Sequence, residues 1–259
     1  MSSENKDTHV KSVERAFLLV EALAEKPREH SLTALSKQLG WPKSTVHGIL
    51  TTLVKYRYAQ QSEENGLYRL GVRFFELGAC VGGTWDIRAI AAPVMQRLNQ
   101  ELGEMVQLAT EDQGELLYLE KLDSLHLIRI VSEVGRRLPM HCTGLGKAIL
   151  AYMPAARVRQ IVRERGLKAF SPRTITTLPV LEKELALTRA RGYAMDEGEI
   201  MEGLRCVAAP IVSGKGEVKY AISVSAIGTN LEGEKLERAK DRVVAAAAEI
   251  AEAIRYEDI

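Results

Sequence analysis

Cysteine is scarce in this chain, and its three copies stand apart. Cys80, Cys142 and Cys206 are odd in number and form no CxxC pair. That argues against a disulfide framework or a structural metal site and makes a reducing cytoplasm the expected compartment. Long apolar runs are also missing. The opening "MSSENKDTH" has no signal-peptide core, and no segment reaches the length that spans a bilayer, so a cytoplasmic protein without a membrane partner is expected. An excess of one charge is missing too. Net charge is +1, so any attraction to nucleic acid has to come from a local patch. No internal repeat is visible, and 259 residues suffice for one large or two ordinary domains.

One local absence turns the argument. Between Glu29 and Glu63 there is no acidic residue, while Lys37, Lys43, Lys55 and Arg57 all fall there. Within this window lies "PKSTVHGILTTL", residues 42–53. Val46, Ile49, Leu50 and Leu53 recur at helical spacing and make one face apolar. The other face carries Lys43, Ser44, Thr45, His47, Gly48 and Thr51. Glycine inside a helix costs about 1 kcal/mol relative to alanine, so Gly48 asks for a reason. A helix lying in the major groove of DNA would supply one: the lysines suit phosphates, short hydroxyls and His47 can reach phosphates or base edges, and Gly48 permits close approach. An amphipathic helix whose polar face meets only water would show the same pattern.

The surrounding pattern gives that helix a setting. Residues 1–9 are polar and expected to fray. From Val10 the spacing predicts a helix with Val13, Phe17, Val20 and Ala24 on one face, ending before Pro27. Thr33 is placed to cap a short helix, Ala34 to Leu39, which stops at Gly40. Pro42 suits the start of the next helix, which runs to about Lys55. Two strands follow, Tyr58 to Gln61 and Leu67 to Leu70, with Asn65-Gly66 in the turn between them. Three helices and a hairpin outline a winged helix-turn-helix.

Gly71 to Gly83, "GVRFFELGACVGG", reads as a helix-like linker. Beyond it a long helix is expected over Asp86 to Leu102, then strands over Met105 to Thr110, Glu115 to Lys121 and Leu127 to Ser132. Helices follow near Gly144 to Ala151, Ala155 to Glu164 and Leu178 to Arg191. Strands return at Tyr193 to Asp196, Leu204 to Val212 and Glu217 to Ala226, and a helix from Leu231 to Arg255 closes the chain. Strands gathered into hairpins with helices between them imply an α+β domain around a mostly antiparallel sheet.

"MHCTGLGKAIL" invites two enzymatic readings that its residues do not support. Gly146-Lys147 lacks both the first glycine and the final hydroxyl residue of a phosphate-binding loop. His141 and Cys142, read as neighbours on an extended segment, would point to opposite faces and form no dyad. Both are taken as structural. A binding reading fits better: Thr143 to Gly146 opens a helix and leaves backbone N–H groups free for an anion. Ser223 and Ser225 alternate onto one strand face, where either a ligand carboxylate or nearby backbone can partner them. A second class of function is a small-molecule enzyme with an accessory nucleic-acid domain, drawing on Asp196, Glu197, Glu199, Glu202 and Cys206. No second motif supports catalysis, and no catalytic residue, metal ligand or cofactor is assigned. A scaffold that only dimerises is weakened by the acid-free stretch.

The segments "SVERAFLLVEALA", "LTALSKQLGWPKSTVHGILTTL" and "NGLYRLGVRFFELG" are similar to the N-terminal domain of the IclR family of bacterial transcription regulators. The similarity continues through "DIRAIAAPVMQRL", "GRRLPMHCTGLGKAILA", "EGLRCVAAPI" and "AISVSA", and so covers nearly the whole chain. The resemblance implies a winged helix-turn-helix over 10–70, a linker helix over 71–84 and a GAF-like effector-binding domain over 85–259. It implies double-stranded operator DNA as partner, a homodimer or dimer of dimers, and a repressor more than an activator. The candidate DNA contacts are Thr33, Lys43, Ser44, Thr45, His47, Gly48, Thr51 and Arg69. A small carboxylate effector, from sugar-acid or aromatic-acid catabolism, would sit against the backbone N–H groups of Gly144 and Leu145, with Asp196, Cys206, Ser223 and Ser225 around it. Asp196 would accept from a ligand hydroxyl or order neighbouring donors. Two departures stand out: the family often carries arginine where this chain has Gly48, and Leu145 replaces a smaller alanine found in some members.

Overall fold

The structure is a computed structural model and describes residues 10–82, 87–125 and 133–256. The chain divides into two compact units with the boundary between Trp85 and Asp86. The expected frayed tail over 1–9 and the expected strand over 127–132 lie outside the described residues.

The first unit contains α1 (Lys11–Ala24), α2 (Leu32–Leu39), α3 (Lys43–Lys55), β1 (Ala59–Gln61), β2 (Tyr68–Leu70) and α4 (Arg73–Gly82). Its core joins Leu19 and Leu23 of α1 to Leu35, Val46 and Leu50 of the next two helices, closed by Ala59 and Tyr68 of the hairpin. The hairpin register pairs Ala59 with Leu70 and Gln61 with Tyr68. His30 adds a bridge that the sequence did not announce, exchanging backbone hydrogen bonds with Tyr68 at 2.9 and 2.8 Å. Within the stretch read as a linker, helix α4 forms and groups with this unit.

Two local expectations are corrected. Ser31, not Thr33, caps α2: its hydroxyl accepts from the Ala34 N–H at 3.1 Å, and Thr33 lies within the first turn. Ser31 sits in the extended conformation that a cap residue needs. The buried face of α1 is also rotated from the expected one. Leu19, Ala22 and Leu23 point inward, whereas Val13 and Phe17 are 49% and 65% exposed. The helix is apolar on several sides, so its packing against α2 and β2 chooses the face.

The second unit is built on a six-stranded antiparallel sheet. Its strands are β3 (Met105–Asp112), β4 (Glu115–Leu122), β5 (Arg137–Pro139), β6 (Ala194–Asp196), β7 (Leu204–Val212) and β8 (Val218–Ile227). The order is β5-β4-β3-β8-β7-β6. The short strand β5 was not foreseen. Helices α5 (Ile87–Leu102), α6 (Gly144–Leu150), α7 (Ala155–Arg165), α8 (Leu178–Arg191) and α9 (Gly233–Tyr256) complete the unit. Met105 to Thr110 of β3 and Ala221 to Ala226 of β8 are buried at every position. Alternate strand residues face opposite sides, so both faces of the sheet are covered. α6 packs among Cys206, Ala208 and Ala221 on one face, while α5 and α9 pair with each other and lie on the strands.

This layering positions the candidate site. Gly144, at the start of α6, has no room for a side chain: a Cβ there would lie 2.9 Å from Cys206 Sγ and 3.4 Å from Ala208 Cβ. The helix therefore begins directly on β7. His141 and Cys142 are not extended but occupy a turn after β5. A chain that must leave an edge strand and enter α6 within four residues has no length for an extended stretch.

Candidate functional site

On the first unit, Val46 and Leu50 bury the inner side of α3, and Lys43, Ser44, His47, Gly48 and Thr51 are exposed on the outer side. Thr45 is half-buried and Thr33 is exposed on α2. A Cβ on Gly48 would meet nothing within 4 Å. Nothing among the described residues therefore requires glycine at this position. The Thr51 hydroxyl donates to the His47 carbonyl at 2.9 Å, as Thr52 does to Gly48 at 3.0 Å. These back-bonds occupy the hydroxyl hydrogens and leave an oxygen lone pair and a methyl group to face outward. Arg69, on the hairpin, is held within the unit. Its guanidinium donates to Gln60 Oε1 at 3.3 Å and to Glu29 Oε1 at 3.4 Å.

On the second unit, a cavity of about 300 Å3 opens between the start of α6 and strands β3, β4 and β7. It brings together Gly144, Leu145, Asp196, Cys206 and Ser225. Ser223 is fully buried two residues from Ser225 on β8, opposite Ala208, and does not line the cavity. Its hydroxyl has no conventional hydrogen-bond partner among the described residues. Ser225 donates to Gln107 Oε1 at 3.2 Å. Sequence reasoning missed Gln107, Tyr118, Arg136 and Phe170, all of which line the cavity. They lie on separate segments, and no local spacing links them.

The start of α6 borders this cavity. Thr143 caps α6, accepting from the Gly146 N–H at 3.2 Å while donating to the Pro139 carbonyl at 3.2 Å. The Lys147 N–H bonds the Thr143 carbonyl at 2.9 Å. The N–H groups of Gly144 and Leu145 have no acceptor among the described residues, as expected for a first helical turn. Arg136 adds a cation to the lining.

Opposite stands Asp196. Its Oδ1 accepts from the N–H groups of Gly198 at 3.0 Å and Glu199 at 2.6 Å, folding a tight turn. Burial pushes its carboxyl up to about 6, against the pull of those hydrogen bonds and of Lys147. Burial likewise pushes the Cys206 thiol up to about 12, although the Ser225 and Ser223 hydroxyls oppose it. A thiol held neutral at pH 7 is a poor nucleophile. Cys142 is pushed up to about 12 by burial as well, and its sulfur donates to the Pro139 carbonyl at 3.8 Å. His141 Nε2 lies 3.0 Å from the Lys168 carbonyl, and burial holds its pKa below the usual imidazole range. Each has its own backbone partner, and the structural reading of both stands.

Of the neighbouring acids, Glu199 is the one bound into the fold. Glu199 forms a buried ion pair with Lys147, which is 1% exposed. Glu197 faces Arg205 at 3.8 Å. Among the described residues no three His, Cys, Asp or Glu side chains gather into a metal-binding group, and no helix is long and apolar enough to cross a membrane.

Comparison with known proteins gives this geometry a family. The IclR helix-turn-helix domain matches residues 12–63, and the C-terminal domain of bacterial IclR transcriptional regulators matches residues 81–252. The HTH-type transcriptional regulator XynR of Escherichia coli is 33% identical over 247 residues, covering 95% of this chain and 98% of that protein. The transcriptional repressor IclR of the same organism is 34% identical over 243 residues, covering 93% and 89%. An IclR homolog from Microbacterium hydrocarbonoxydans, solved with 4-hydroxybenzoate, superposes with a TM-score of 0.84 at 26% identity, covering 95% of this chain and 99% of that one. The relatives are transcriptional regulators rather than enzymes. This chain belongs to the IclR family of bacterial transcriptional regulators.

Proposed function

We propose that the protein is a repressor of a catabolic operon, released or tightened on its operator by a small carboxylate. The observation that carries the DNA half is the outer face of α3. It is free of acids and exposed, and it holds a glycine that no internal neighbour requires. A mid-helix glycine with open space around it makes sense where another molecule comes close. Lys43 and Ser44 would contact phosphate, His47 and Thr51 base edges, with Thr33 and Thr45 flanking. Arg69 would join after exchanging Glu29 for a phosphate oxygen.

The effector half rests on the cavity. Unclaimed N–H groups at Gly144 and Leu145, with Arg136 nearby, supply what a carboxylate needs. Asp196, Cys206 and Ser225 would meet the ligand's other polar end, and Ser223 would act from behind them. A relative solved with 4-hydroxybenzoate supports a small carboxylate as ligand class, with sugar acids and aromatic acids both compatible. A ligand that favours one of two conformations shifts a homodimer, or a dimer of dimers, between arrangements that fit the operator differently.

Fluorescence anisotropy with the promoter duplex nearest the protein's own gene tests both halves. Salt-sensitive preference for that duplex over random DNA is expected, altered by one member of a panel of sugar acids and aromatic acids. Equal affinity for both duplexes, with and without every acid, would overturn the proposal.

A further inference from the structure

A second cationic cluster on the first unit lies away from the face of α3 just described. Lys55, Tyr56, Arg57, Tyr58 and Arg73 line a cleft of about 450 Å3 where α3 gives way to the hairpin. Lys55 is exposed and has no carboxylate partner among the described residues; its ammonium lies 5.7 Å from the Tyr56 ring centre. The Arg57 side chain is 62% exposed. Arg57 and Arg73 share one acid, Glu76, at 3.2 and 2.7 Å. Three cations thus face one carboxylate, and the surplus is positive.

The backbone beneath is built to hold this arrangement. Arg57 has φ of 65°, a left-handed conformation that costs a non-glycine residue about 1–2 kcal/mol. Gly71 holds the turn from the other side: a Cβ there would lie 2.0 Å from the Arg57 carbonyl oxygen. The Arg73 N–H then bonds that same carbonyl at 3.2 Å. The Arg57 N–H donates to the Val54 carbonyl at 3.0 Å and the Tyr58 N–H to the Leu53 carbonyl at 2.8 Å, a Schellman cap that ends α3 and fixes where these side chains leave the helix. One lysine in the last turn would suffice to complement the α3 dipole, but Arg57 and Arg73 lie beyond the helix and do not serve that end.

From this geometry we infer that Lys55, Arg57 and Arg73 form a second phosphate-binding site, which grips the DNA strand opposite the one held by Lys43. The inference rests on the proposed role of α3 as the reading helix. Lys43 and Lys55 stand at the two ends of that helix, separated by about 18 Å at 1.5 Å per residue. The major groove is about 12 Å wide between its walls. A helix set across it with cations at both ends touches both backbones and fixes its own depth. Lys43 alone would leave the far end of the helix unanchored. Glu76 limits the grip by holding two of the three cations, so its removal strengthens binding.

The test measures affinity for a random-sequence duplex and for the promoter duplex over a salt series. Lys55→Ala combined with Arg57→Asn, asparagine being tolerant of the left-handed conformation, is expected to weaken both duplexes alike. It should lower the slope of log affinity against log salt by about two, one for each lost phosphate contact. Glu76→Gln is expected to tighten both duplexes, an effect of opposite sign that loss of folding would not produce. If Lys43→Ala lowers the slope while the double variant keeps the wild-type slope, α3 still reads DNA and this second site is refuted. If wild-type protein shows no salt-dependent binding to either duplex, the reading-helix proposal fails and takes this inference with it.

Discussion

Glu199 accepts a hydrogen bond from the buried Lys147 ammonium, while its own backbone N–H donates to Asp196 Oδ1 at 2.6 Å. One residue thus ties the middle of α6 to the carboxylate that faces the cavity. Two further bonds brace the same turn: the Thr174 hydroxyl donates to the Glu199 carbonyl at 2.6 Å, and Ser171 donates to Gly198 at 2.6 Å. Lys147→Met leaves Glu199 buried without its cation, and removing one partner of a buried pair costs about 3–5 kcal/mol. Urea denaturation of the full chain should show that loss, and Lys147→Met with Glu199→Leu should recover much of it. A single variant as stable as wild type would show that the pair contributes nothing.

Asp196 gives the cavity a pH dependence. Its carboxyl is held up at about 6, with burial as the first cause, so it sheds its charge as the pH falls through that value. A carboxylate ligand then meets less repulsion, and its affinity should rise between pH 7 and pH 5. The stability sign is the same. A carboxyl whose folded pKa is raised contributes fully below its unfolded value of about 4 and loses that contribution as pH climbs through the folded value. Asp196→Asn should flatten the affinity profile, read by calorimetric titration, and only reduce the stability slope in thermal melts, because burial pushes neighbouring Glu199 up to about 7 and it titrates over the same range.

Gly48→Ala should separate stability from function. Alanine adds about 1 kcal/mol of helix propensity at an interior position, and the methyl group meets nothing within the protein. The variant should melt higher than wild type yet bind promoter DNA about tenfold more weakly, the scale of an overpacking cost of about 1–3 kcal/mol. Unchanged DNA affinity in the stabilised protein would remove Gly48 from the contact surface.

Ser31 and Thr33 should divide two roles that lie two residues apart. Ser31→Ala loses the bond to the Ala34 N–H and with it about 1 kcal/mol, with the protein's DNA preference intact at temperatures where it stays folded. Thr33→Ala should leave the melting temperature unchanged and weaken DNA binding. Thermal denaturation beside anisotropy distinguishes them.

Much of the outline was legible because it depends on neighbours in sequence. Gly40 ends α2 with φ of 69°, Asn65-Gly66 lies between the hairpin strands, and α8 spans Leu178–Arg191, where a helix is expected. Capping was one step less certain, since Ser31 and Thr33 both carry hydroxyls and only the backbone decides which reaches an N–H. The face of α1 was less legible still. A helix rich in valine, leucine and phenylalanine offers several apolar stripes, and its partners choose among them.

The cavity divides in the same way. Gly144 and Leu145 could be found because a helix start announces itself locally. Gln107, Tyr118, Arg136 and Phe170 could not, because they converge from β3, β4 and two loops. Sequence by itself determined where helices and strands begin, which surface lacks acids, and which glycine has no local excuse, since these follow from propensity, charge and spacing along the chain. Only the tertiary structure decided which serine reaches the cavity, which carboxyl gains its proton and which cations share Glu76, because burial and distance arise from residues that meet only after the chain has folded.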